Sequence, residues 1–262
     1  MSLIEARCVN LSVITDEIDT RLGRALDVCE ELGIDAVELR TVDGVPVIER
    51  DDLGGIRAEL DRRGFRVSAI ASPFLKCDRG EDQENVYERT LDTARTLGAP
   101  VVRAFAWWRE PDPAAVLPEL GEALRRAAEQ ARAAGVLLAL ENEHECNVAT
   151  AAEARAALAA AASPDVWLIW DPGNAAMLDP GSFTGLGGLE AISDRVAHVH
   201  LKDVSVSGEW VRIGDGIVDF PGMVEHLSRY EGFFSFETHY QRDGSGERAT
   251  RDCVAAFREL IA

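Results

Sequence analysis

The sequence predicts a single α/β domain, a closed (β/α)8 (TIM) barrel spanning residues 1–262. Three observations predict it. Short apolar runs alternate with longer helical patterns along the whole chain, as βαβ units around a parallel sheet require. A length of 262 residues suits one such barrel, which typically takes ~250. Finally, 47% of the residues are apolar, enough to fill a barrel and the ring of helices around it.

Taken in order, the first strand is expected at Cys8–Ile14. It ends Val-Ile-Thr-Asp-Glu-Ile, without the glycine-rich turn that opens an open, doubly wound nucleotide-binding sheet, so the closed barrel is preferred. A helix at Thr20–Leu32 leads to a strand at Ala36–Leu39, and a helix at Asp51–Arg63 to a strand at Val67–Ser72. The pattern repeats with a helix at Asn85–Leu97, a strand at Val101–Ala106, a helix at Ala114–Ala134 and a strand at Val136–Glu141. Gly33, Gly64, Gly98 and Gly135 each stand between helix and strand, where a left-handed residue ends a helix. Thr150 and Glu153 have the spacing of a capping box for a helix at Ala151–Ala161. The surrounding stretch is rich in alanine, but Glu153, Arg155 and Leu158 give it an ordinary helical pattern. Strands at Val166–Asp171, Val196–Leu201 and Phe233–Glu237 follow, with helices at Gly222–Ser228 and Glu247–Leu260. No linker or low-complexity boundary divides the chain.

A formal net charge of -19 repels phosphate backbones and argues against nucleic acid as a partner. Cys8, Cys29, Cys77, Cys146 and Cys253 are dispersed and lack CxxC spacing. They point to reduced thiols and not to a disulfide framework or zinc ribbon. Glu5 and Arg7 precede the first apolar run without signal-peptide architecture, and no apolar stretch approaches the ~18 residues that span a bilayer. The expectation is a cytoplasmic protein with no membrane partner, its assembly into a homo-oligomer left open.

In such barrels, active sites lie at the C-terminal strand ends. Four consecutive strands here run into a metal-ligand residue type: Glu141, Asp171, His200 and Glu237. One acidic residue at a strand end is commonly a helix cap or an ion-pair partner, and Asp171, followed by Pro-Gly-Asn, could merely start a turn. Three carboxylates and an imidazole aimed at one rim would repel one another unless a cation compensates. The set suits one divalent ion, Mn2+, Mg2+, Co2+ or Zn2+. His198 shares a face with His200 but lies deeper, so it is expected to pack or to support the ligands. No serine or cysteine nucleophile constellation is present.

The segments Glu141-Asn142, Trp170-Asp171-Pro172-Gly173-Asn174, His198-Val199-His200-Leu201-Lys202-Asp203 and Phe236-Glu237 resemble the signature of the xylose-isomerase-like TIM barrels. Thr15-Asp16-Glu17-Ile18 and Val37-Glu38-Leu39-Arg40 extend the resemblance to the first two strands. That superfamily holds sugar-phosphate isomerases and epimerases, ketose 3-epimerases, hydroxypyruvate isomerase, inosose dehydratase and endonuclease IV. The resemblance implies one metal held by Glu141, Asp171, His200 and Glu237, with Glu141 and Glu237 also forming the catalytic acid/base pair. Asn174 stands where the ketose 3-epimerases carry a histidine that touches substrate, a departure from their pattern.

Around this rim, Arg40, Trp107, His144, Asn174, Lys202 and Arg212 are candidate substrate contacts: cations for oxygens or phosphate, an aromatic wall for a sugar face. Asn147 is a further candidate. Glu38 is expected to pair with Arg40, and Gly214-Asp215-Gly216 to form a mobile loop over the cleft. The chemistry expected is isomerisation or epimerisation of a small carbohydrate by proton transfer through an enediolate. Loss of a β-hydroxyl from the same intermediate gives the alternative, a dehydratase of the inosose or dehydroshikimate type. A more distant alternative is an endonuclease IV-like phosphodiesterase, which would need further ligands and a basic surface.

Overall fold

A computed structural model describes residues 9–262. Eight parallel strands close into a barrel in chain order. They are β1 (Asn10–Ile14), β2 (Ala36–Leu39), β3 (Arg66–Ile70), β4 (Val101–Ala104), β5 (Leu137–Glu141), β6 (Val166–Trp170), β7 (Val196–Leu201) and β8 (Phe233–Phe236). The barrel shuts where Asn10–Val13 pairs with Phe233–Phe236. Cys8, expected at the head of β1, lies outside the described residues. Each strand is followed by a helix: α1 (Leu22–Glu31), α2 (Leu53–Arg63), α3 (Glu84–Leu97), α4 (Leu117–Ala134), α5 (Ala151–Ala161), α6 (Pro172–Leu178), α7 (Phe220–His226) and α8 (Gly246–Ile261).

The packing follows from the apolar pattern. Val13, Val37, Val102, Leu138, Leu168 and Val199 from the strands join Leu26, Leu60, Leu124 and Phe257 from the helices in one buried cluster. Phe257 of α8 meets the Phe236 ring edge-on at 5.6 Å and Phe220 at 6.0 Å. Burying rings of this size contributes roughly 1.5–3 kcal/mol each. α4 and α5 approach so closely at Gly121 that a Cβ there would lie 2.5 Å from the carbonyl carbon of Ala160. The capping box holds as expected: the Thr150 hydroxyl accepts from the Glu153 amide, and the Glu153 carboxylate accepts from the Thr150 amide.

Several boundaries differ from expectation: β3, β4, β6 and β8 stop short of Ser72, Ala106, Asp171 and Glu237, which lie at the start of the loops after them. The Pro-Gly-Asn segment, which no helix was expected to include, opens α6, with Asp171 as its cap and Pro172 at its first position. The barrel interior carries polar groups beside a small apolar cluster of the strand residues Ala69, Val101, Ala139 and Ile169. Ser12 and Ser68 hydrogen-bond each other at 2.7 Å, and Glu38, Arg103, His198, His200 and Glu237 are buried. Such groups are tolerated inside only when paired, and their pairing builds the site.

Candidate metal centre

Glu141 is the last residue of β5, Asp171 follows β6, His200 is the penultimate residue of β7 and Glu237 follows β8. All four are buried, and their ligand atoms lie within 4.8 Å of one another. His200 Nδ1 faces the three carboxylates, 3.0 Å from Glu141 Oε1, 3.2 Å from Glu237 Oε2 and 3.8 Å from Asp171 Oδ2. Its other nitrogen, Nε2, points the opposite way and meets Glu38 at 3.1 Å.

Glu38 receives both histidines, since His198 Nε2 lies 2.9 Å from its Oε2. Burial opposes the Glu38 charge, but the His200 and His198 rings outweigh it and hold the carboxyl well below its ordinary range. Burial likewise opposes the His200 cation, while Glu38, Glu141 and Glu237 raise it well above the usual imidazole range. The support expected of His198 is therefore borne out. The expected Glu38–Arg40 pair is not: Arg40 turns to Asp16, Glu17 and Glu237 instead.

Asp171 is held by amides. Asn142 Oδ1 accepts from the Asp171 backbone N–H at 2.8 Å, and its Nδ2 donates to the Asp171 carbonyl at 2.8 Å. Asp171 Oδ1 accepts from the Asn174 N–H at 2.9 Å. Its Oδ2 is buried and accepts no hydrogen bond from any described residue. The Lys202 ammonium lies 3.1 Å from that atom but donates to Glu237 Oε2 at 2.9 Å. Burial pushes the Asp171 carboxyl up to about 6, with Glu237 and Glu141 adding to the rise and Lys202 opposing it. A convergent set of hard oxygen donors and an imidazole whose far nitrogen is fixed by a carboxylate together fit a divalent metal.

Beside the cluster opens a cavity of about 270 Å3, whose wall includes Arg40, Lys76, Arg103, Phe105, Glu143 and Glu237. Of the expected contacts, Arg40 lines it and Lys202 lies buried at the ligands. His144 stands at the rim, 2.6 Å from Glu143 and 3.2 Å from Asn174. Asn174 is fully buried and donates to Glu141 Oε1 at 3.3 Å, so it steadies a ligand. Trp107 is turned away: its backbone is left-handed, with φ 51°, and its ring borders an outer groove beside Tyr87 and Ala127. Arg212 does not line the cavity either, because Asp215 engages its guanidinium at 2.9 Å. Asn147 bonds Ala106, Trp108 and Glu110 and ties two loops together. Gly214 and Gly216 donate their amides to Asp203, so the loop expected to be mobile is anchored.

The sequence reading missed four residues here. Arg103 is a charge inside the apolar run Val-Val-Arg-Ala, a readable signal; it donates to Glu141 Oε2 at 3.1 Å. Lys76 and His239 come from loops with no such signal. Trp210 sits on a short hairpin (Asp203–Val204 with Trp210–Val211) and brings its ring 5.2 Å from Lys202 Nζ, between His144 and His239.

The fold is a closed α/β barrel whose C-terminal rim carries Glu141, Asp171, His200 and Glu237 close enough to hold a metal. The chain belongs to the xylose isomerase-like TIM barrel family, whose model matches residues 26–260. Among solved structures, it is similar to IolI protein with a bound zinc atom, at a TM-score of 0.81 and 19% identity over 97% of this chain and 98% of that one. It is also similar to 3-keto-D-glucoside 4-epimerase YcjR from E. coli, at 0.78 and 18% over 96% and 100%. A third is the probable 3-DHS dehydratase AsbF from Bacillus anthracis, at 0.76 and 15% over 97% and 99%. These likenesses concern the fold. No curated protein matches the chain. No helix among the described residues is long and apolar enough to cross a membrane.

Proposed function

We propose that the protein is a divalent-metal-dependent isomerase or epimerase of a small hydroxy-carbonyl compound, a sugar, working by proton transfer through an enediolate. The observation that carries this reading is the pair Glu141 and Glu237, which converge on one imidazole nitrogen at 3.0 and 3.2 Å beside a cavity of about 270 Å3. That volume lies just below the ~300–1,000 Å3 of drug-sized sites and suits a small ligand. The epimerase named among the similar structures supports the same reaction class.

The metal would be held by Glu141, Asp171, His200 and Glu237. When bound, a divalent ion supplies Lewis acidity to a carbonyl and its neighbouring hydroxyl, which acidifies the C–H between them. Burial works against the Glu237 charge, but Lys202 and His200 overcome it and keep the carboxyl ionised, the form that accepts a proton. Glu237 borders the cavity and takes the proton from carbon. Glu141, steadied by Arg103 and Asn174, returns one to the neighbouring carbon for isomerisation or to the opposite face for epimerisation.

One observation favours a second outcome from the same intermediate. His144 at the rim has its pKa raised: burial opposes the shift, and the Glu143 carboxylate outweighs it. That ring is a proton donor suited to a departing β-hydroxyl, as a dehydratase needs, and the AsbF likeness is in keeping with it.

The test is solvent deuterium incorporation into a panel of ketoses and cyclic polyol ketones by metal-loaded protein. Exchange that disappears with a chelator and falls ~10^2 to 10^4-fold in Glu237→Gln is expected. Exchange within about tenfold of wild type in a metal-retaining Glu237→Gln would show that Glu237 is a ligand only. An enone product in place of exchange would favour the dehydratase.

A further inference from the structure

We infer that the cavity selects an uncharged substrate, a free sugar or polyol ketone, over its phosphate ester. This rests on the reading of the site as a sugar-converting centre and settles which chemical form it takes.

The first observation is that the cavity's fixed cations are already engaged. Arg40 uses all three guanidinium nitrogens on carboxylates, with Asp16 at 3.0 Å, Glu17 at 2.7 Å and Glu237 at 3.0 Å. Arg103 gives one nitrogen to Glu141 and the other two to the carbonyls of Ser72 and Ala71, at 3.1 and 3.0 Å. Lys76 is 2.9 Å from Glu143, and its ammonium lies 4.8 Å from the centre of the Phe105 ring. A phosphate is recognised by guanidinium and ammonium groups whose charge no carboxylate already balances. Here each cation faces its own acid, and an incoming dianion would have to displace a buried carboxylate partner or stand beside it.

The second observation is independent and lies in the loop after β7. In α/β barrels, phosphate is frequently gripped by backbone amides of the loops after the seventh and eighth strands. In this chain an internal carboxylate occupies such amides. Asp203, fully buried, accepts from the N–H groups of Gly214 at 2.9 Å, Gly216 at 3.0 Å, Val218 at 3.2 Å and its neighbour Val204 at 2.9 Å. A Cβ at Gly216 would collide with that carboxylate, so the loop is shaped around Asp203. The amides that could cradle a phosphate are taken by the Asp203 carboxylate instead.

Two measurements on the magnesium-loaded full chain test this. Calorimetric titration compares D-fructose, D-tagatose and D-psicose with their 6-phosphates, and 31P NMR follows inorganic phosphate. The expected result is that no 6-phosphate binds better than its free sugar and that inorganic phosphate shows no site with a dissociation constant below about 1 mM. Glu143→Gln, which frees the Lys76 ammonium, should gain phosphate affinity relative to wild type. A 6-phosphate binding tenfold tighter than its parent sugar overturns the inference, as does a submillimolar phosphate site in wild type. Absence of deuterium exchange with every sugar would count against the proposed reaction but leave the phosphate result standing, so the two failures are told apart.

Discussion

Glu38 touches no cavity surface, yet the orientation of the ligand set depends on it. It takes the far nitrogen of His200 at 3.1 Å and so fixes which ring nitrogen faces the three carboxylates. Glutamine at this position keeps the shape but loses the charge that the two imidazoles require. Glu38→Gln should weaken metal affinity roughly 10–100-fold, as loss of such supporting carboxylates typically does. A competition titration against a chromogenic chelator measures it, and an unchanged affinity would remove Glu38 from the account. Protons and metal compete for the same atoms. With Asp171 pushed up to about 6 and His200 raised well above its usual range, acidification protonates the carboxylate and binding must expel the imidazole's second proton. Affinity should therefore rise with pH and be lost as pH falls through about 6; a flat profile between pH 5 and 8 would contradict the assignment. The convergence of Glu141, Asp171, His200 and Glu237 was legible because each is a charge or imidazole ending an apolar strand. Trp107 and Arg212 were misplaced because their directions depend on a left-handed backbone residue and on an ion pair with Asp215, which spacing alone does not encode.

At the level of elements, all eight strands were legible from their apolar runs, and the helix ends from glycines such as Gly64 and Gly135, whose φ values are 76° and 77°. α6 was not, because Pro-Gly-Asn also suits a turn, although Asp171-Pro172 carries a readable helix-start signal. The contact of α4 with α5 depends on a missing side chain. Gly121→Val would drive methyl groups into the Ala160 carbonyl, so the two helices must part. Overpacking of this kind costs about 1–3 kcal/mol. Urea unfolding should show a lower midpoint with an unchanged slope; unaltered stability would mean the helices can slide apart freely.

For the whole molecule, the acidic composition and the ligand rim answer different questions. A net charge of -19 makes the surface field negative as a whole, while locally Arg40, Arg103 and Lys202 balance the acids that converge on the centre. The barrel brings residues from β2, β4, β5, β7 and the loops after β6 and β8 within bonding reach. The fold was therefore readable from local pattern. The cavity wall was not, because Lys76 and His239 line it together only when distant loops meet above the rim, where Trp210 also reaches His239. The central claim is that Glu141, Asp171, His200 and Glu237 hold one divalent ion for proton transfer. Its most direct test is anomalous diffraction from crystals of manganese- or cobalt-loaded protein. The account predicts one strong peak per chain within bonding distance of His200 Nδ1 and the three carboxylates. A loaded crystal whose peaks all lie away from these four side chains would contradict it.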